Sequence, residues 1–260
     1  MTAKLIVILG MHRSGTSTIT RSLEAFGTSL GKNLLEAVPG NNEKGFFEDK
    51  DILELNDSIL AKFGCSWNSP YNLDDLDLSS GLLFLERAKA EKLLREKMSS
   101  HSIYAIKDPR ISILLPFWKK VFSQAGITPY YLISLRHPTS VAKSLEARDN
   151  ISKRDAVRLW TFYNNKALAN TNTEKRLIVE YDNIIDDTLT EINKIADFIQ
   201  LAPLQADNSQ LENFSETFLS ADLRHHKTHQ ADEANDVLHQ ALYSAMQTEA
   251  QSRSKSDTQE

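Results

Sequence analysis

A short segment near the start of the chain combines glycine, a basic residue and hydroxyl residues in an order suited to holding an anion. It reads GMHRSGTS over residues 10–17 and follows the apolar run at residues 5–9. Glycines allow a close backbone approach, and the amides of such a loop and of the following helix converge on negative charge. The frame is nearly that of the nucleotide-binding P-loop, G-x-x-x-x-G-K-[ST]. It predicts an anion-binding loop whose contacts are Arg13, Ser14, Gly15, Thr16 and Ser17.

The loop departs from the P-loop pattern at one informative position. Thr16 stands where the P-loop has lysine, and the basic residue is instead Arg13, inside the loop. The lysine of that motif serves the β- and γ-phosphates of a nucleoside triphosphate. Its absence favours an anion that has no γ-phosphate.

A second candidate anion contact follows a later strand. The run from Pro129 to Leu135 predicts a buried strand, and Pro138 predicts the start of the next helix. Arg136 then lies at the carboxyl edge of the strand, where open α/β sheets bind ligands. Ser144 lies eight residues further on. Because Arg binds phosphate bidentately and Ser adds a hydroxyl, we expect the two residues to hold one phosphate together.

Strand-like and helix-like patterns alternate along the chain. Short apolar runs predict strands at residues 5–9, 102–106, 129–135 and 177–180. Amphipathic segments predict helices at residues 16–26, 50–63, 82–98 and 189–199. The alternation predicts a three-layer α/β/α fold with a mostly parallel central sheet, similar to that of P-loop NTPases.

Composition limits the classes of protein to which the chain can belong. Its 260 residues are 41% hydrophobic and 25% charged, with a net charge of −5. These values predict one α/β domain, over residues 1–246, and disfavour a nucleic-acid partner. Residues 247–260 have little to bury and predict a disordered tail. Cys65 is the single cysteine and no apolar stretch is long enough for a signal or a membrane span, so we expect a cytoplasmic enzyme without an integral membrane segment.

The loop at residues 10–17 and the Arg136–Ser144 spacing together resemble the two cofactor-binding elements of sulfotransferases that use 3′-phosphoadenosine 5′-phosphosulfate (PAPS). The resemblance is to bacterial sulfotransferase-family proteins, and it implies that the loop holds the 5′-phosphosulfate while Arg136 and Ser144 hold the 3′-phosphate. It also implies PAP as the product, Tyr181 near the adenine, and Arg224 in a late basic segment that closes over the nucleotide. Further similar segments are NEKGFFE (42–48), KDPR (107–110), LWTFYN (159–164) and VEYD (179–182). The Arg-Lys-Gly motif of cytosolic sulfotransferases is absent, which leaves the nucleotide contacts near the C terminus undefined.

Such a transfer needs a proton acceptor and a cation near the breaking bond. Glu48 is the first candidate for the base, since the neighbouring phenylalanines can bury its carboxyl and raise its pKa. The alternative is that Glu48 only begins a helix, where acids are favoured. Lys107 is the candidate catalytic cation. His12 and Asp108 are alternative bases, His12 equally a supporting residue, and no metal is expected.

Two other functions stay open on the sequence alone. A P-loop kinase or NTPase using ATP and Mg²⁺ would need an aspartate at a strand end, such as Asp108 or Asp182. A nucleotide-binding scaffold would keep the loop without turnover. The acceptor of a sulfotransferase is also open among glycans, lipids, small metabolites and peptides, as is the oligomeric state. Phe46, Phe47, Trp67 and Tyr71 are candidates to line the acceptor site, and His225, His226 and His229 fit a solvated basic segment better than a metal site.

Overall fold

The central layer of the protein is a parallel sheet. The computed structural model of the chain describes residues 3–37, 45–74, 76–205, 207–219 and 237–256. In these segments four strands pair in the order β2-β1-β3-β4, and every pair is parallel. The strands are β1 (Lys4–Leu9), β2 (Ile103–Lys107), β3 (Tyr130–Leu135) and β4 (Arg176–Glu180). The predicted strands are therefore confirmed to within a residue.

Helices cover both faces of the sheet, which confirms the predicted three-layer α/β/α fold. In chain order they are α1 (Thr16–Ser22), α2 (Lys50–Lys62), α3 (Phe84–Met98), α4 (Arg110–Ile113), α5 (Leu115–Ala125), α6 (Pro138–Asp149), α7 (Lys153–Asn170), α8 (Tyr181–Asp186), α9 (Thr188–Phe198), α10 (Ser209–Asn213) and α11 (Val237–Ser256). Short 3₁₀ turns lie at Leu23–Phe26, Tyr71–Leu73 and Gly81–Leu83, and a π-helical turn at Phe214–Phe218. Within the described part of the chain, no helix has the length and apolarity needed to cross a membrane.

Two hydrophobic cores, one on each face of the sheet, explain why β1 is a continuous apolar run. Leu5, Val7 and Leu9 pack into the core formed with α2, α3, α5 and α7. Ile6 and Ile8 pack into the opposite core, formed with α1, α8 and α9. Side chains alternate between the faces of a strand, and both faces of β1 are covered, so all five are fully buried.

The predicted site residues gather where the strands end. Parallel strands all finish at one edge of a sheet, and the loops that follow them meet there. The loop at residues 10–17 follows β1, Lys107 ends β2, Arg136 follows β3 and Tyr181 follows β4. Since β1 and β3 are hydrogen-bonded neighbours, the two predicted anion-binding elements emerge side by side.

The structure differs from the sequence expectation at the C terminus. The last helix, α11, continues to Ser256 through residues that predict a disordered tail. Two polar contacts fix this part of the helix to β4. Arg176 binds Glu249 in a bidentate ion pair, at 2.8 Å (Nε–Oε1) and 2.7 Å (Nη2–Oε2), and Gln247 Nε2 donates to Glu180 Oε2 at 2.9 Å. Two polar residues of the segment, Gln247 and Glu249, therefore dock this part of the helix on β4.

The Arg176–Glu249 pair yields a test of this docking. We expect Glu249→Ala to lower the free energy of unfolding by about 1 kcal/mol, because the pair is bidentate and partly buried. The measurement is thermal unfolding, with Glu96→Ala as the matched control. Glu96 lies in an exposed ion pair with Lys92 whose nitrogen–oxygen distance is 3.8 Å. Equal melting temperatures for the two variants would contradict a docked C-terminal helix.

Candidate active site

The loop between β1 and α1 leads into a helix start that has no side-chain cap. Gly15 is the N-cap residue of α1 and lies in the left-handed region (φ 91°). As a glycine it supplies no side-chain cap, and the first turn of α1 contains no acidic residue. The amides at this helix start are therefore not satisfied by a side-chain cap from the helix itself.

Close packing behind the loop explains both glycines. A Cβ atom on Gly15 would lie 2.3 Å from Cδ2 of Tyr181, and one on Gly10 would lie 2.9 Å from the carbonyl oxygen of Ser134. Both residues also have positive φ, which other residues adopt only with strain. The two glycines thus let the loop pack directly against Ser134 of β3 and against Tyr181, which follows β4.

Side chains from β3 and its end fix the loop from the other side. Ser134 Oγ donates to the carbonyl oxygen of Ser14 at 2.7 Å, and Arg136 Nη1 donates to the carbonyl oxygen of Arg13 at 3.2 Å. Arg13 Nε donates to Ser144 Oγ on α6 at 2.8 Å. The predicted 5′ element and the predicted 3′ element are therefore one hydrogen-bonded cluster.

This cluster contains positive charge without a carboxylate partner. The guanidinium carbon of Arg136, a residue 9% exposed, lies 4.4 Å from the centroid of the Tyr181 ring. Among the described residues, neither Arg13 nor Arg136 forms an ion pair with an acid. Burial lowers the pKa of Arg13, the charges of Arg148 and Arg136 lower it further, and the charge of Asp149 opposes this fall. A buried and a partly buried cation placed side by side are costly unless an anion joins them.

On the β2 side of the loop the charges are balanced. Lys107 Nζ lies 2.6 Å from Glu48 Oε1, and both side chains are almost completely buried. Lys107 Nζ also donates to the carbonyl oxygen of Phe46 at 2.5 Å, and Ser17 Oγ donates to the same oxygen at 3.4 Å. Burial raises the pKa of the Glu48 carboxyl, and the Lys107 ammonium opposes that rise. The segment before α2 is thus anchored to both the loop and β2.

The backbone around Glu48 is fixed independently of its side chain. Leu35 N donates to the carbonyl oxygen of Glu48 at 2.8 Å. Asp49 caps α2 by accepting from the amides of Asp51 and Ile52, and its carboxylate binds Lys97 Nζ of α3 at 2.6 Å. Glu48 therefore does not cap the helix, since that function belongs to Asp49. Its Oε2 atom is buried and has no hydrogen-bond partner among the described residues.

Asp108, an alternative base, is occupied by structural contacts. Its Oδ1 accepts from Arg110 N and Nη1, both at 3.0 Å, and its Oδ2 accepts from Asn56 Nδ2 at 2.9 Å. Asn56 Oδ1 in turn accepts from Trp118 Nε1 at 2.9 Å. This fully buried network ties the end of β2 to α2, and it supports Lys107 and Glu48 rather than offering a free carboxylate.

His12 lies within the loop beside an aromatic wall. Its ring centroid is 4.5 Å from that of Trp67, and its Nε2 is buried without a hydrogen-bond partner among the described residues. Burial lowers the pKa of His12 well below its ordinary value, and the charge of Arg110, followed by that of Arg148, lowers it further. His12 is therefore a neutral imidazole.

The remaining residues predicted from the sequence lie in different parts of the structure. Tyr181 packs against Gly15 and Arg136, a supporting role for which the sequence carries no local signal. Phe47 packs on Phe218 with ring centroids 5.9 Å apart, so it belongs to the core rather than to an open acceptor surface. Thr16 is buried in the first turn of α1. Arg224, with the histidines at 225, 226 and 229, lies outside the described residues.

Unpartnered buried polar atoms face this region from several elements. Ser14 Oγ, Arg136 Nε and Glu48 Oε2 all lack hydrogen-bond partners among the described residues. Unpaired buried groups are rare in folded proteins and call for an explanation. Ser14 Oγ and Arg136 Nε are donors beside two cations, and they suit an anionic ligand. Glu48 Oε2 is a carboxylate oxygen, and it suits a hydroxyl donor. In the described segments, no group of three or more His, Cys, Asp or Glu residues could hold a metal ion.

Comparisons with known proteins identify the fold. No model of a known protein family matches the chain, and no curated protein matches it. Among solved structures, it is similar to a sulfotransferase domain from the curacin biosynthetic pathway, with 18% identity and a TM-score of 0.52 over 94% of this chain and 98% of that domain. It is also similar to a sulfotransferase domain from the Synechococcus PCC 7002 olefin synthase, with 19% identity and a TM-score of 0.50 over 95% of each chain. The chain therefore has the fold of sulfotransferase domains.

Proposed function

We propose that this protein is a sulfotransferase that moves a sulfuryl group from PAPS to a hydroxyl or amine of an acceptor. The observation that carries the proposal is the pair of guanidinium groups at the loop, the partly buried Arg13 and the buried Arg136, neither of which forms an ion pair with an acid among the described residues. An anion with two separate acidic groups would neutralise both. PAPS has a phosphosulfate and a 3′-phosphate, and the sulfotransferase fold supports this donor over other dianions.

Different residues of the cluster bind different parts of PAPS. In this proposal the 5′ loop, with Arg13, Ser14 Oγ and the first amides of α1, holds the phosphosulfate. Arg136 and Ser144 hold the 3′-phosphate, and Arg136 Nε, which has no partner among the described residues, is available for that contact. Tyr181 keeps the Arg136 guanidinium in place by packing beneath it. When bound, PAPS supplies an activated sulfuryl group.

Glu48 is the proposed base. Its Oε1 is held by Lys107 and its Oε2 is available to accept the proton of the acceptor hydroxyl. That proton passes to Glu48 as the acceptor oxygen bonds to sulfur and the bond between sulfur and the phosphate oxygen breaks. The electrons of that bond stay with the phosphate oxygen of PAP, where Lys107 and the loop amides stabilise the charge.

The kinase alternative is weaker on this geometry. A kinase or NTPase would need a lysine after Gly15, where the chain has Thr16. It would also need a strand-end carboxylate able to reach a cation, whereas both oxygens of Asp108 are hydrogen-bonded to protein groups. A small molecule or a glycan is the proposed acceptor class.

The 3′-phosphate assignment yields a binding prediction. PAP should bind more tightly than AMP by a factor on the order of 10–100, the worth of a charged hydrogen bond. Arg136→Ala should remove most of that preference; because Arg136 also holds the Arg13 carbonyl oxygen, the quantity to compare is the ratio of the PAP and AMP affinities rather than either affinity alone. Isothermal titration of both nucleotides measures it, with the exposed Arg154 on α7 changed to alanine as the control. If the intact protein binds PAP and AMP equally, Arg136 does not hold a 3′-phosphate.

The assignment of Glu48 yields a kinetic prediction. Glu48→Gln keeps the shape of the side chain but loses the proton acceptor, so turnover under saturating PAPS should fall by roughly 10²–10⁴. PAP affinity should change little, because Glu48 lies on the other side of the loop from the Arg cluster. Glu54→Gln, at an exposed position on α2, the helix that follows Glu48, should leave turnover unchanged.

Melting temperatures of both variants separate catalysis from stability, because Glu48→Gln also removes the counter-ion of Lys107. A variant that retains more than about a tenth of the turnover would move the base to another residue. His12, with its unpartnered buried Nε2, would be tested next.

A further inference from the structure

A third arginine lies near the loop, at the end of α6. Arg148, in the last turn of α6, has a side chain that is 14% exposed. Its Nε pairs with Asp149 Oδ2 at 2.6 Å. No hydrogen bond joins its two terminal nitrogens to a residue of the described segments. The group therefore keeps free donors close to the site.

Arg148 is placed against the loop by an aromatic residue. Its guanidinium carbon lies 5.6 Å from the centroid of the Trp67 ring, and the same ring packs against His12 at 4.5 Å. Trp67 is itself held firmly, because Tyr163 Oη donates to its carbonyl oxygen at 2.8 Å. Paired backbone hydrogen bonds between Ser66 and Ser69 close the turn that carries it. Trp67 is thus a fixed, half-exposed apolar surface that joins Arg148 to the loop.

The charge of Arg148 lies close to those of Arg13 and Arg136, but Arg148 is not part of the hydrogen-bonded cluster proposed to bind PAPS. The charge of Arg148 lowers the pKa of Arg13 more than that of Arg136 does, and it acts on His12 together with Lys107. Arg148 and Lys107 therefore both lie near His12. The hydrogen bonds that join the donor cluster link Arg13, Arg136 and Ser144 and do not include Arg148.

We propose that Arg148 and Trp67 form the acceptor subsite and that the acceptor carries an anionic group, a carboxylate or a phosphate, which Arg148 binds. The apolar part of the acceptor lies on the Trp67 surface, and its hydroxyl then points toward Glu48 and the loop. This inference rests on the proposed function, since it names the substrate class of the same site. A neutral acceptor would leave the terminal donors of Arg148 without a partner when the site closes over a substrate.

Matched probes test the inference by binding alone. 4-Hydroxybenzoate and 4-hydroxyphenyl phosphate are titrated into the PAP-saturated protein, with the neutral 4-hydroxybenzamide as the reference. We expect at least one anion to bind roughly tenfold more tightly than the amide, as one charge-assisted contact provides. The stronger of the two anions identifies the acidic group. Equal binding of the amide and both anions by the intact protein would overturn the proposal.

Variants of Arg148 assign the preference to that residue. Arg148→Met should abolish the preference for the anion and leave PAP affinity within about twofold of the intact protein, while Arg154→Met should change neither. If Arg148→Met lowers the melting temperature strongly, Arg148→Gln, which keeps polarity, replaces it. Loss of PAP affinity in either variant would place Arg148 in the donor site and contradict the proposal. If the intact protein binds no PAP, the donor assignment fails instead, and the same probes titrated without PAP still decide whether Arg148 binds the anion.

Discussion

The buried positive charge at the carboxyl edge of the sheet is the constraint on which the rest of the site depends. Arg13 and Arg136 come from loops that follow adjacent strands. The side chain of Arg136 donates a hydrogen bond to the backbone carbonyl oxygen of Arg13, which holds the two residues together. Holding a buried and a partly buried cation together with no ion-pair partner in the described part of the chain costs free energy that the hydrophobic cores must offset. The glycine contacts with Tyr181 and Ser134 then follow as the packing that keeps this cluster in place.

The site has two sides of opposite electrostatic character, with the loop between them. On the α6 side, Arg13 and Arg136 form no ion pair with an acid among the described residues, although Asp149 pairs with the neighbouring Arg148 at 2.6 Å. On the β2 side, Lys107 is neutralised by Glu48 at 2.6 Å. In the proposed function, the anionic donor binds the first side and Glu48 on the second side accepts the proton. A carboxylate paired directly with Arg13 or Arg136 would compete with such a ligand.

Sequence patterns predict the parts of the site that are local in the chain. The loop after β1, the alternation of strands and helices, and the Arg136–Ser144 spacing each have a short signature. The rule that parallel strands end at one edge of the sheet brings them together. The contact between Arg13 and Ser144 has no such signature, because it joins residues 131 positions apart. The same holds for Tyr181 beneath Arg136 and for Arg148 on Trp67. The docked end of α11 escaped prediction because its polar residues bind a strand end rather than bury apolar surface.

The most direct test of the central claim compares two nucleotides on the intact protein. Isothermal titration is run with PAP, and separately with ATP and Mg²⁺, at equal ionic strength, since both ligands are strongly charged. The paired arginines and the absence of a lysine after Gly15 predict that PAP binds at least about tenfold more tightly than ATP with Mg²⁺. Tighter binding of ATP with Mg²⁺, or no binding of PAP, would contradict the account.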